Sequence, residues 1–254
     1  MIIANPIYDV VFKYLMEDSR LAKLLIGTII GEKIDKIYLR PTDEPVKLAH
    51  KSWTVYRLDF SAKIKTPGGL KTVIIEIQKA KYSTDIISFR RYLGKQYLKD
   101  DNIYIEKSKG RTIKKAIPII SIYFLGKSLS VTKAPVIKVQ RNYIDITTGK
   151  EIKEKEDFIE SLTHDSYVIQ IPCLREKIQS ELEILLSIFD QRNKTENHIL
   201  NVKEEQFPAK FHPLIRKLQK GAAEPELLSQ MDAEDQVLEE LQELEREAEE
   251  SKRE

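Results

Sequence analysis

The sequence predicts an α/β fold, and three patterns carry that prediction. Two stretches around a Pro-Gly turn alternate apolar and polar residues with a period of two, the mark of half-buried strands. A strongly apolar run, Ile117–Leu125, has the length and composition of a buried strand. Before and between these, apolar residues recur at helical spacing.

In chain order, Ile7–Ile30 reads as helical, with Val10, Val11, Tyr14 and Leu15 on one stripe and Leu21, Leu24, Leu25, Thr28 and Ile29 on the next. Ser19 is placed to break or cap between them. From about Lys33 to Lys51 the signals are mixed, and Pro41 and Pro45 mark a connection. In Thr54–Lys65, Tyr56, Leu58, Phe60, Ala62 and Ile64 alternate with Val55, Arg57, Asp59, Ser61 and Lys63. Thr66-Pro67-Gly68-Gly69 is a turn, since Pro presets its φ and Gly tolerates positive φ. Thr72–Gln78 is the second strand, with Val73, Ile75 and Ile77 on one face and Ile74, Glu76 and Gln78 on the other. Asp85–Leu98 returns to helical spacing through Ile86, Ile87, Phe89, Leu93 and Tyr97. Strand, helix and buried strand in succession predict a crossover between parallel strands.

Further on, Val136–Ile146 and Tyr167–Ile171 read as strands with Thr147-Thr148-Gly149-Lys150 as a turn between them. Cys173–Phe189, Phe207–Lys220 and Pro225–Lys252 read as helices. In the last, Val237, Leu241, Leu244 and Ala248 form a narrow apolar seam that suits either the body or a second copy of the chain. The expected division is a core over residues 1–130, a mixed α/β extension over 131–222 and an acidic helix over 223–254.

At 254 residues with 41% hydrophobic and 32% charged residues, the chain can bury a core, and wholesale disorder is not expected. No apolar run is long enough for a membrane span, and the first residues carry no leader pattern. A single cysteine, Cys173, leaves no internal disulfide. These features favour a cytoplasmic protein without a membrane partner. Four scattered histidines lack zinc-ligand spacing, so a catalytic metal would need oxygen ligands, which suits Mg²⁺ or Mn²⁺. The net charge of +2 is uneven: residues 224–254 hold 13 acidic and three basic residues, leaving 39 basic and 27 acidic residues in 1–223. A basic body with an acidic tail points towards a nucleic-acid partner.

Within the hairpin, Asp59 and Glu76 share a face in either of two registers. A turn about Pro67-Gly68 sets them directly opposite, with Cβ atoms about 5 Å apart; a turn about Gly68-Gly69 sets them on a diagonal of about 7–8 Å. Like charges so placed repel, and a divalent cation converts the repulsion into coordination by hard oxygen ligands. Such an ion polarises a phosphodiester and acidifies water, the two requirements of phosphodiester hydrolysis. Gln78 cannot act as a base, but its amide can orient a water or a phosphate oxygen.

Asp59 followed, after sixteen residues, by Glu76-Ile77-Gln78 resembles the D…ExQ variant of the PD-(D/E)XK nuclease motif, in which glutamine replaces the usual lysine. Pro6-Ile7-Tyr8-Asp9-Val10-Val11-Phe12-Lys13 is similar to the PxxDxxFK opening of the recombination-promoting nuclease/putative transposase family. Phe89-Arg90-Arg91-Tyr92 resembles that family's Arg/Tyr-bearing helix, and Gly110 before the apolar strand also fits. The resemblance spans about residues 5–125. It implies a restriction-endonuclease-like core, a mixed sheet with flanking helices, and a Mg²⁺-dependent DNA endonuclease linked to transposase-like or recombination-promoting activity. By position it implies Asp59 and Glu76 as metal ligands with the backbone carbonyl of Ile77 as a third. Gln78 takes the place of the lysine, and Asp9 is implied to orient a water near the metal.

Between Phe60 and Lys115, 14 basic residues stand against five acidic ones. Arg90, Arg91, Lys95 and the Lys107–Lys115 stretch, Lys109 and Arg111 among them, with Lys13 on the first helix, are the expected DNA contacts, directed at phosphates and therefore independent of sequence. The second expectation is a non-catalytic DNA-binding or regulatory protein that keeps this fold.

Overall fold

The structure, a computed structural model, describes residues 1–47, 54–78, 85–108, 111–174 and 180–251. The side chains of 40–47, 54–59, 78, 85–89, 91–92, 106–108, 111, 241, 244–245 and 248–250 lie outside the description. The strands are β1 (Ile2–Ala4), β2 (Lys36–Lys47), β3 (Thr54–Thr66), β4 (Gly69–Gln78), β5 (Ile103–Ser108), β6 (Arg111–Ala116), β7 (Ile119–Leu125), β8 (Val136–Val139), β9 (Tyr143–Asp145), β10 (Lys150–Ile152), β11 (Asp165–Gln170), β12 (Lys194–Glu196) and β13 (Ile199–Asn201). The helices are α1 (Asp9–Met16), α2 (Ser19–Ile30), α3 (Asp85–Leu98), α4 (Asp157–Leu162), α5 (Glu181–Leu186), α6 (His212–Gly221) and α7 (Pro225–Glu250). None of the described helices is long and apolar enough to cross a membrane.

The chain divides into two compact units, one of Met1–Ala22, Thr42–Leu58 and Leu174–Glu254, the other of Lys23–Pro41 and Asp59–Cys173. This grouping differs from the sequence division at residues 130 and 222. Strands β8 and β11, both beyond 130, complete the main sheet, whose order is β2-β3-β4-β7-β11-β8.

That sheet is mixed. β3 and β4 form the expected antiparallel hairpin, and β4 is parallel to β7, as the strand–helix–strand pattern predicts. β7 is also parallel to β11, and β8 closes the edge antiparallel. Registry sorts the side chains onto two faces. One carries Ala62, Ile64, Val73, Ile75, Ile122, Phe124 and Ile169, all at most 1% exposed. Helix α2 lies on this side: Tyr167 donates to the Ile30 carbonyl (3.1 Å), and Lys71 pairs with Glu32 (2.5 Å) just past the helix. Burying each such aliphatic or aromatic side chain stabilises the fold by about 1.5–3 kcal/mol.

The other face carries Ser61, Thr72, Ile74, Glu76, Ile119, Ser121, Tyr123 and Ser166. Helix α3 covers it through Leu93, which packs on Ile74 and Ile119. The turn after α3 adds Asn102, whose Oδ1 accepts from Thr72 Oγ1 at 2.9 Å.

Several elements differ from the sequence reading. The segment around Pro41 and Pro45 is strand β2, not a connection. It lies at the sheet edge, where a residue without an N–H loses no ladder bond on its open side. α2 is capped by Asp18 rather than Ser19: its carboxylate accepts from the Arg20 N–H (2.9 Å), and the adjacent Arg20 guanidinium, hydrogen-bonded to it, holds that carboxyl below its usual range. The expected strand Val136–Ile146 is two strands, β8 and β9. The Thr147–Lys150 turn joins β9 to β10 instead of leading to β11. Asp145 organises it by accepting from Thr147 N (2.9 Å) and Thr148 Oγ1 (2.7 Å), and Gly149 takes φ +69°. These hydrogen bonds, from the Thr147 hydroxyl first, hold the Asp145 carboxyl down at about 2. Within Cys173–Phe189 the only described α-helix is α5, followed by a 3₁₀ turn.

His164, just before β11, shares a 3.0 Å hydrogen bond with the Tyr97 hydroxyl. Burial, reinforced by nearby Arg141, lowers its pKa from the usual 6.5. The folded state therefore favours neutral His164, so its contribution to stability is complete above about pH 6.5 and declines as pH falls below it. Urea midpoints of wild type and His164→Gln, compared at about pH 8 and about pH 5, should show the larger acid loss in wild type. Equal losses would remove His164 from the pH dependence.

The first unit contains the small antiparallel sheet β1-β13-β12 with α1, α6 and α7. The N-terminal ammonium donates to the Val202 carbonyl (2.6 Å). Gly221 at the end of α6 lets Tyr14 and Leu227 approach closely: a Cβ there would stand 3.1 Å from a Tyr14 ring carbon and 3.0 Å from Leu227. α7 lies along α1, with Tyr8 donating to Asp235 (2.8 Å) and Tyr14 to Glu224 (2.8 Å). Burial first, then the bond to Asp235, raises the Tyr8 hydroxyl far above its usual pKa. Leu227 and Met231 of α7 are buried. The start of the acidic helix thus packs on its own chain, while the Leu241, Leu244 and Ala248 side chains of the predicted seam lie outside the described residues.

Candidate active site

The site is built on the second half of the hairpin. The ladder closes at Thr66↔Gly69 around Pro67-Gly68, with Gly69 at φ +108°, and runs to Phe60↔Ile75. Of the two registers open from sequence, this is the one in which paired positions sum to 135. Continued by one residue, it sets position 59 opposite position 76. Both residues lie within strands, and the Asp59 side chain is outside the described residues.

Glu76 is 8% exposed on the face beneath α3. A carboxylate taken this far out of water costs several kcal/mol unless charge or hydrogen bonds compensate it. On its other side it pairs in parallel with Tyr123, whose hydroxyl oxygen is buried. One step further along β4, Ile77 is half-buried and pairs with Phe124. Gln78 shares the Glu76 face by parity and pairs with Leu125, and its side chain is outside the described residues.

Around this row the face is polar. The Ser121 and Ser166 hydroxyls hydrogen-bond at 2.8 Å across β7 and β11. Asn102 donates to the Gln96 carbonyl on α3, and Gln96 itself is 2% exposed, with no hydrogen-bond partner for its Nε2 among the described residues. Lys63 Nζ stands 4.0 Å from Asp101 Oδ1 with its side chain 16% exposed. Isolated serines give no signal in a sequence; Ser121, Ser166 and Tyr123 join the row through the β4–β7–β11 registers alone.

The other predicted residues are distributed as follows. Asp9 opens α1 in the first unit, and its backbone N–H donates to Glu234 Oε1 of α7 at 3.3 Å. Lys13 is in the last turn of the same helix. Arg90 and Lys95 are exposed on α3. Lys109 and the side chains of Arg91 and Arg111 lie outside the described residues. Among the described residues, no group of three or more His, Cys, Asp or Glu side chains is placed to hold a metal ion.

The donor types of the row, the carboxylates of Glu76 and Asp59 and the backbone carbonyl of Ile77, are all oxygen, the chemistry that a hard divalent cation takes. The two carboxylates come from different strands joined by a two-residue turn, so the hairpin register fixes their spacing. Compared with protein-family models, curated proteins and solved structures, the chain matches none.

Proposed function

We propose that this chain is a cytoplasmic, Mg²⁺- or Mn²⁺-dependent endodeoxyribonuclease on a restriction-endonuclease-like core, serving transposase-like or recombination-promoting activity. The observation that carries the reading is the β3–β4 register, which continued by one residue sets Asp59 against the buried Glu76. Asp59, Glu76 and the Ile77 carbonyl would hold the metal, and its charge would supply polarisation of the phosphodiester and acidification of water. Gln78 orients a water or a phosphate oxygen through its amide. Arg90, Arg91, Lys95, Lys109, Arg111 and Lys13 hold DNA by its phosphates.

A second reading is a DNA-binding or regulatory protein without turnover. Gln78 favours it, because an amide carries none of the positive charge a lysine would bring to the phosphate. Supercoiled plasmid incubated with Mg²⁺, Mn²⁺ or EDTA separates the two. The nuclease reading expects nicked or linear product with either metal and none with EDTA. Tight binding without cleavage under every condition selects the regulatory reading.

A further inference from the structure

Strands β5 and β6 form a two-stranded antiparallel ribbon that is a sheet of its own. It leaves the fold between α3 and β7, and the sequence reading gives no element there. Its base is fastened: Ile117 N donates to the Asn102 carbonyl (2.7 Å), and Lys115 pairs with Asp157 of α4 (2.6 Å).

Cross-strand partners share a face, so the register sorts the ribbon into two sides. Tyr104 and Lys115, paired at the base of the first side, are half-buried, and Ile113 further out on that side is 43% exposed. The second side carries Ile103, Ile105, Thr112, Lys114 and Ala116, and all five are exposed, Ile105 by 60% and Ile103 by 43%. Isoleucines exposed on an open sheet face lose the stabilisation that burial gives, which marks the face as a contact surface. Residues 103–116 contain five basic residues and one acidic, a net of +4. That charge disfavours a second copy of the same ribbon as the occupant and suits a polyanion.

We infer that the β5–β6 ribbon is an arm that enters the major groove of duplex DNA with its Ile103–Ile105–Thr112–Lys114 face. The inference rests on the reading of DNA as partner and gives that partner a form, a B-form duplex. A two-stranded ribbon fits the major groove, roughly 12 Å wide. Strands of this length extend about 20 Å, a little over half of the roughly 34–36 Å helical turn of DNA. Isoleucine and threonine methyl groups are complementary to the C5-methyl of thymine, which projects into that groove, and Lys114 reaches a phosphate or a guanine edge. The deep, narrow major groove of duplex RNA excludes such a ribbon.

The test is the affinity of the full chain for a duplex, read by fluorescence anisotropy in EDTA so that no cleavage intervenes. The duplex is compared with the same sequence carrying uracil for every thymine. Wild type should bind the uracil duplex about fourfold more weakly for each methyl it contacts, the effect of burying one methyl group. Ile105→Ser should lose that discrimination, and Lys114→Ala should lower the salt slope by about 0.9. Equal affinity of wild type for the two duplexes, equal affinity for duplex RNA, or no binding to DNA overturns the arm. So does a self-association in wild type that Ile105→Ser abolishes. Cleavage without ribbon-dependent binding leaves the nuclease reading standing alone. Ribbon-dependent binding without cleavage leaves the arm and removes the nuclease.

Discussion

Glu76→Gln and Asp59→Asn are each expected to lower plasmid cleavage by on the order of a hundred- to a thousandfold while leaving DNA affinity in EDTA within about twofold of wild type. Both substitutions keep the shape of the side chain and remove its charge. Glu76 is 8% exposed on a face otherwise lined by Ile74, Ser121 and Tyr123, so an amide of equal size disturbs the packing little. A divalent cation held by this row would, by contrast, lose a charged ligand and bind more weakly, and its occupancy would fall together with the polarisation of the scissile phosphate. Gel quantification of nicked product measures the first half of this expectation and anisotropy the second. A variant that loses cleavage and binding together would mean the residue shapes the DNA surface instead of holding the metal.

Arg141→Ala is expected to destabilise the protein by about 2–4 kcal/mol, lowering the melting temperature by about 5–10 °C. The guanidinium, 17% exposed, bridges Asp165 at the start of β11 (3.0 Å) and Glu160 on α4 (2.8 Å). It also donates to the carbonyls of Glu160 (2.8 Å) and Thr163 (3.0 Å). Glu160 in turn accepts from the Tyr143 hydroxyl and lies 3.5 Å from Lys155. Removing the hub leaves two carboxylates facing each other and the half-buried Glu160 carbonyl without its donor, which costs more than the bonds were worth in water, while the exposed Thr163 carbonyl regains water. Residual screening by Lys155 sets the lower end of the range. Urea denaturation of wild type and variant checks the value, and a loss below about 0.5 kcal/mol would show the network to be screened by solvent.

The hairpin and its parallel neighbour were legible in the sequence because each rests on local pattern. Alternation in 54–65 and 72–78 fixes the faces, Pro67-Gly68 permits a two-residue turn, and the Ile117–Leu125 run can be buried on both sides. The strand β2 was not legible, since Pro41 and Pro45 argue against a strand everywhere except at an edge, and edge position is a tertiary fact. The β5–β6 ribbon was hidden for a related reason. Its charges break the alternation, and only pairing reveals that Thr112 and Lys114 join Ile103 and Ile105 on one side while Ile113 lies on the other. The pairing of β11 with β7 depends on contacts more than 40 residues apart, as in Ser121–Ser166, which no window along the chain contains.

In the candidate site, the shared parity of Asp59 and Glu76 came from sequence, and the register that sets their positions opposite came from the hairpin. The serine pair and the pairing of Tyr123 with Glu76 came from the sheet registers alone. Asp9 and Lys13 illustrate the limit of a motif. The opening helix is formed as read, yet its N-terminal N–H is taken up by Glu234 of α7, a partner 225 residues away that no local pattern announces.

The Asp59–Glu76 row is proposed to perform metal-dependent cleavage of DNA. Its most direct test is single-turnover cleavage of an end-labelled duplex by excess protein, with wild type, Asp59→Asn and Glu76→Gln run in Mg²⁺ and in EDTA. Product is expected from wild type in Mg²⁺ alone. Product from either variant at the wild-type rate, or from wild type in EDTA, would contradict it.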